Sequence, residues 1–317
     1  MSEADSAPHR LMRRATLAAV GTAGTLIVVK LGAWMFTGSL SMLASLVDSS
    51  LDVAASLVSL MAVRHALQPA DMEHRFGHGK AESIAVLTQA AFIGGSALFL
   101  GLEAARRFAA PTPVTRGEIG IAVMLFSIAA TLALVTYQRY VVKKTRSIAI
   151  AADSAHYTGD ILVNASVVAS LLINLLFDAA WVDAAFAFAI ALYLARNAFG
   201  LGATAFDQIM DKELPEAERA RICEIALAEP GALALHDLRT RVSGPNLFIQ
   251  LHVEVDGGIT VTAAHDVANR VELAIGRAFE SAEVIVHIDP LGVEEPIAYP
   301  ATLDRVVSAE LDENSPP

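Results

Sequence analysis

SLVDSSLD, residues 45–52, lies inside an apolar run from about 40 to 64. A run of that length is what a bilayer-spanning helix needs, about 20 apolar residues. Yet it carries two carboxylates, Asp48 and Asp52, four positions apart. On a helix that spacing puts both on one face. Charged side chains at mid-bilayer cost several kcal/mol, so they face a bundle interior and mark ion pathways. Lys30, on the preceding run, offers one positive charge and pairs with one Asp at most. The second carboxylate still requires a counter-charge, a divalent metal or protons.

Five further apolar runs flank this one, at about 15–36, 82–108, 117–140, 147–176 and 181–203. Hydrophobic residues make up 54% of the chain and mean hydropathy is +0.50, too apolar for an ordinary soluble domain. The expected fold class is an α-helical membrane protein of six transmembrane helices, followed by a small α/β domain. The first run lacks a small-residue cleavage site and reads as a retained helix, not a signal peptide. Arg10, Arg13, Arg14, Arg64, Arg75, Lys80, Arg139, Lys143, Lys144 and Arg146 gather on one side of the spans; Arg106, Arg107 and Arg116 fall on the other. The richer side is cytoplasmic. Both termini are then cytoplasmic, in a multi-pass protein of the cell (inner) membrane.

The expected divisions are a cytoplasmic N-terminal segment 1–14, a transmembrane domain 15–210, a cytoplasmic domain 211–295 and an acidic, disordered tail 296–317. Within 211–295, "LPEAERARICEIALAEPG" reads as a helix ended by Pro-Gly. "HDLRTRVSGPNLFIQLHVEV" reads as two strands around a Ser-Gly-Pro-Asn turn. "VTAAHDVANRVELAIGRAF" has helical spacing, and "AEVIVHIDP" is a strand closed by proline. The order α-β-β-α-β predicts a ferredoxin-like sandwich. The net charge of -11, without a basic and aromatic patch, argues against nucleic acid. The single cysteine, Cys223, excludes an internal disulfide and a Cys-rich metal site; it reads as a packed helix residue. No His-Glu-x-x-His motif supports an intramembrane metallohydrolase. The chain is therefore not expected to be an enzyme.

Three clusters offer metal ligands. "ADSAHYTGDILVN" in the fifth run places His156 and Asp160 four apart, so two spans each offer an i, i+4 pair. Together with Asp48 and Asp52 they make three carboxylates and one imidazole, a donor set that suits tetrahedral zinc. Asp153, nearer the cytoplasmic end, is expected to be solvated. The loop "QPADMEHRFGHGKAES" brings Asp71, His74 and His78 within reach of one ion. In the last third, His252 and Glu254 share one strand face, as do His287 and Asp289. His236 begins the first strand and His265 starts a helix. These four histidines and Asp289 suffice for one or two metals.

In these residues the chain resembles the cation diffusion facilitator family, in its bacterial zinc/iron efflux branch. The resemblance runs from about residue 10 to 292 and rests on "TGSLSMLASLVDSSLD", "LQPADMEHRFGHGKAES", "HYTGD" and "LHDLRTRVSGPNLFIQLHVEV…VHIDP". It implies a transport site of Asp48, Asp52, His156 and Asp160, and a loop site of Asp71, His74 and His78. It also implies a cytoplasmic binuclear site of His236, His252, His265, His287 and Asp289. It further implies a homodimer paired through metallochaperone-like cytoplasmic domains, exchanging cytosolic divalent metal for H+. The expected cargo is Zn2+, with Cd2+, Fe2+ and Mn2+ as other candidates. The alternative is a membrane metal sensor that moves nothing.

Overall fold

The computed structural model describes residues 7–38, 40–109, 118–177, 181–279, 281–293 and 307–308. Most of the tail expected to be disordered, and the "PTPVTRG" connection with Arg116, lie outside the described residues. The chain divides into two compact units, Met1–Asp207 and Gln208–Pro317.

The first unit holds α1 (Ala7–Thr37), α2 (Leu40–Ala66), α3 (Ala81–Ala109), α4 (Glu118–Thr145), α5 (Ile148–Phe177) and α6 (Trp181–Ile209). Among the described residues five of these, all but α5, are long and apolar enough to cross a membrane by length and composition. α5 has 30 residues and packs against α1, α2, α3 and α4. Helix α1 begins well before the expected residue 15, because hydropathy reports the lipid boundary whereas backbone hydrogen bonding continues through the basic segment HRLMRR.

The unit is apolar outside, and inside it small and polar residues share the interior with apolar clusters. Phe36 is 89% exposed and Phe199 81%, whereas Ser49, Ser56, Ser59, Gln89, Gln138 and Asp153 are buried. Lipid tails are as apolar as leucine, so small residues and interhelical hydrogen bonds hold such helices together. Gly94, Gly101 and Gly202 illustrate the close approach: a Cβ on each would stand 3.7–3.8 Å from an alanine Cβ of a neighbouring helix.

Asp153 is not solvated, contrary to the sequence expectation. Its Oδ1 accepts from Gln89 Nε2 at 3.2 Å and its Oδ2 from Gln138 Nε2 at 2.6 Å. Gln89 also donates to Ser59 at 2.8 Å, so donors from α3 and α4 replace water around the carboxylate. A buried carboxylate is tolerable only when hydrogen-bonded in this way. The start of α5 is fixed similarly: Ser147 Oγ donates to buried Glu82 of α3 at 3.0 Å and accepts the Ile150 N–H at 3.3 Å.

In the second unit, α7 (Glu216–Leu227), β1 (Ala234–Ser243), β2 (Asn246–Val255), α8 (Val261–Ala278) and β3 (Ala282–Pro290) follow the expected order. The two-residue β4 (Val307–Ser308) adds to the sheet, whose order is β3-β2-β1-β4. β1 and β2 form a hairpin closed by Ser243 opposite Asn246. Gly244, at φ +57° in the first central position, supplies the left-handed backbone that a type II′ turn requires. β2 and β3 pair in parallel, which requires a crossover, and α8 supplies it. Thr260 caps that helix by accepting the Ala263 N–H at 3.2 Å.

Alternation then sorts the strands. Ile249, Leu251, Val253 and Val255 of β2 point into a core with Ile222 of α7 and Val267, Val271 and Ile275 of α8. Cys223 packs at the margin of this core, and burial pushes its thiol up, away from reactivity. The intervening residues, His252 and Glu254, face the other way.

Candidate metal centres

Helices α2 and α5 bring Asp52 together with His156 and Asp160. His156 Nε2 lies 3.1 Å from Asp52 Oδ1 and 3.9 Å from Asp160 Oδ2. Asp52, His156 and Asp160 present ligand atoms within 4.8 Å of one another. Tyr157 is buried beside them, its hydroxyl hydrogen-bonded to Ser56 of α2 at 2.7 Å. Asp48, one turn earlier on α2, is exposed and outside this set of three. Among the described residues Lys30 comes within ion-pair distance of neither carboxylate. Its Nζ donates to Ser49 Oγ at 2.5 Å and to the Ser45 carbonyl at 3.3 Å. Two carboxylates around one imidazole are a site of net charge -2 when the ring is neutral, with donors that accept either a proton or a divalent ion.

The loop after α2 folds around Asp71. Its Oδ1 accepts the backbone N–H of His74 at 2.6 Å and of Glu73 at 2.9 Å. The His74 N–H foremost, with that of Glu73, holds this carboxyl below the usual range. His74 Nδ1 then stands 3.4 Å from Asp71 Oδ1, and His78 Nε2 3.3 Å from Asp71 Oδ2. These three residues form a second close set. His78 is buried, and its Nδ1 makes no hydrogen bond. A third imidazole, His65 of α2, meets the His78 ring edge to face at 4.6 Å between centroids.

Strand register builds the third set. His236 of β1 lies directly opposite His252 of β2, which lies directly opposite His287 of β3. The three rings form a ladder with centroids 5.1 and 4.6 Å apart. Asp289 reaches His252 Nδ1 at 2.8 Å, His287 Nε2 at 3.2 Å and His236 Nε2 at 3.6 Å. His236, His252 and Asp289 are the close set, with His287 at its exposed edge. Glu254 joins through His236 Nδ1 at 3.2 Å. His265 does not join: it is exposed on α8 and outside the set.

Sequence reasoning missed Asp237. An irregularity in the β1–β2 register between His236 and Arg239, with Asp237 at φ 45°, puts its carboxylate 3.8 Å from His252 Nε2. No periodicity announces a bulge. His65 was also missed, because it meets His78 only through the fold-back of the loop.

Comparison with known proteins agrees with this architecture. Residues 16–210 match the family description "Cation efflux transmembrane domain", and residues 214–291 match "Cation efflux protein, cytoplasmic domain". Relatives named cation-efflux pump FieF, from Klebsiella pneumoniae subsp. pneumoniae and Citrobacter koseri, are each 46% identical, with 90% of this chain and 94% of theirs covered. A solved chain of the zinc transporter CzrB in its Zn form is 32% identical, covering 27% of this chain and 98% of its own, with a TM-score of 0.25. Two family domains in tandem and relatives nearly half identical over nine-tenths of the sequence lead to one conclusion: this chain belongs to the cation diffusion facilitator family of membrane metal transporters.

Proposed function

We propose that this chain exports Zn2+ from the cytosol in exchange for H+, as a homodimer with both termini cytoplasmic. Cation efflux is what its family does and what its closely similar relatives are named for. The finer reading rests on one observation, the meeting of Asp52, His156 and Asp160 between α2 and α5. His156 Nε2 faces a carboxylate oxygen on either side. A proton on that ring and a divalent ion are alternative counter-charges for the same two anions. Loading metal therefore expels the proton, and protonation expels metal. Alternating access gives each species its own direction. Asp48 supplies the fourth ligand by joining from the neighbouring turn of α2. The imidazole favours zinc over ions that prefer an all-oxygen shell, such as Mn2+. Asp71 with His74 and His78, and His236, His252, His287 and Asp289, hold resident metals that support the transporter.

Zinc flux into sealed proteoliposomes under an imposed pH gradient tests this reading. Flux should follow the gradient and vanish in Asp160→Ala while the variant remains folded. Flux indifferent to collapse of the gradient removes the proton coupling. Parent protein that binds zinc and moves none would instead be a sensor.

A further inference from the structure

His65 is absorbed by none of the three ligand sets. It sits in the last turn of α2, exposed, and no hydrogen bond or ion pair engages its ring nitrogens among the described residues. Its ring nevertheless lies 4.6 Å from that of His78, edge to face. His74, a member of the loop set, stands at the same 4.6 Å from His78 on the other contact. Two imidazoles bound to one zinc at about 2.0–2.1 Å and a tetrahedral angle have centroids about 5 Å apart. His65 thus holds the spacing that an established member of the cluster holds. Its exposure leaves both side-chain torsions free to complete the turn toward the ion.

The cluster also has an opening for it. Asp71, His74 and His78 supply three ligands, whereas structural zinc takes four. His78 Nε2, 3.3 Å from Asp71 Oδ2, is the nitrogen this ring turns toward the set. We propose that His65 is the fourth protein ligand of the loop metal, which is then held by three imidazoles and one carboxylate. The ion ties the last turn of α2 to the loop that leads into α3. α2 also carries Asp48 and Asp52, so loop occupancy bears directly on the helix that presents the transport ligands. The proposal rests on the reading of Asp71, His74 and His78 as a metal site.

The test uses the full chain on a background of Asp160→Ala and Asp289→Ala, which disables the other two clusters. Co2+ reports coordination by its visible absorption, and Zn2+ competition gives affinity. His65→Ala should weaken zinc binding by at least about 10-fold, the scale on which even outer-shell ligand partners act. It should also replace the intense tetrahedral cobalt bands with weaker ones of higher coordination. His65→Phe keeps the ring contact but no ligand atom, and should lose as much as His65→Ala. Parent-like binding in His65→Ala, or recovery in His65→Phe, overturns the proposal while loss in His78→Ala leaves the loop site standing. If His78→Ala binds as the background does, the loop site itself is refuted.

Discussion

Gly159, the residue before Asp160, offers a perturbation whose size can be worked from geometry. A Cβ built there would stand 2.7 Å from Cδ2 of Leu194 on α6. Carbon contacts prefer about 3.5–4.0 Å, so Gly159→Ala forces roughly an ångström of adjustment. Leu194 is buried among Ile93, Ala97, Ile190 and Ala198, which restricts its escape to another rotamer. Overpacking of this kind costs about 1–3 kcal/mol. Alanine recovers about 0.8–1.0 kcal/mol over glycine in a helix interior. The net expectation is a loss of about 0–2 kcal/mol. Leu194→Ala alone leaves a cavity and costs about 2–5 kcal/mol. With that cavity present, Gly159→Ala meets no clash and only the helix gain remains. The double-mutant cycle should therefore show about 1–3 kcal/mol of favourable coupling. Unfolding in detergent measures the cycle, and zinc flux is read beside it. Displacing α5 at residue 159 moves Asp160 and His156 relative to Asp52 on α2, so flux should fall in Gly159→Ala and recover in the double variant. Parent-like flux in Gly159→Ala with coupling within about 0.5 kcal/mol of zero would refute the reasoning.

Replacing His156 by Asp leaves an all-carboxylate site, which should lower the ratio of Zn2+ to Mn2+ transport; an unchanged ratio with both proteins active moves selectivity elsewhere. His287→Ala with Asp289→Ala removes the carboxylate that touches three histidines, and should reduce zinc bound per chain without abolishing flux. Equal zinc content in parent and variant counts against that cluster. Asp71 has a folded pKa below its unfolded value, so its hold on the loop is complete above about pH 3.9 and is lost as pH falls through the lower, folded value. Amide protection at His74 in metal-free protein should persist through the ordinary carboxylate range, and its loss by pH 5 would show that the Asp71 contacts do not order the loop.

Much of the site was legible because its spacing matches the period of its element. Asp52 lies four residues after Asp48, and His156 and Asp160 are four apart, so a helix alone sets their faces. Alternation likewise placed His252 with Glu254 and His287 with Asp289 before any pairing was known. What spacing could not give was register: only the observed pairing shows that His236, His252 and His287 form one row. The place of Asp153 near the cytoplasmic end suggests access to water, but its donors arrive from α3 and α4 and no spacing on α5 announces them. His265 was placed near the cluster by sequence reasoning, but the α8 turn that carries it leaves it exposed. Charge alone pairs Lys30 with a carboxylate, yet its Nζ donates to a serine hydroxyl and a carbonyl of α2.

The buried polar residues around Asp153 bear on how the ligands keep their positions. Hydrophobic burial cannot discriminate helix registers inside a membrane, since lipid receives an apolar face as readily as another helix does. A carboxylate that must find its donors does discriminate. Asp153 meets Gln89 and Gln138 at one rotation of α5 only, and any other rotation leaves a buried anion unsatisfied. Hydrogen bonds to a charged group contribute about 1.5–3 kcal/mol in water-soluble proteins, and an orphaned charge costs more than its bonds were worth. His156 lies one turn beyond Asp153, so the rotation that satisfies Asp153 also aims His156 at Asp52. Ser56, on the turn of α2 after Asp52, is fastened in the same way to Tyr157, the residue next to His156. The ligands of α2 and α5 are thus aligned by polar contacts one position or one turn away from them.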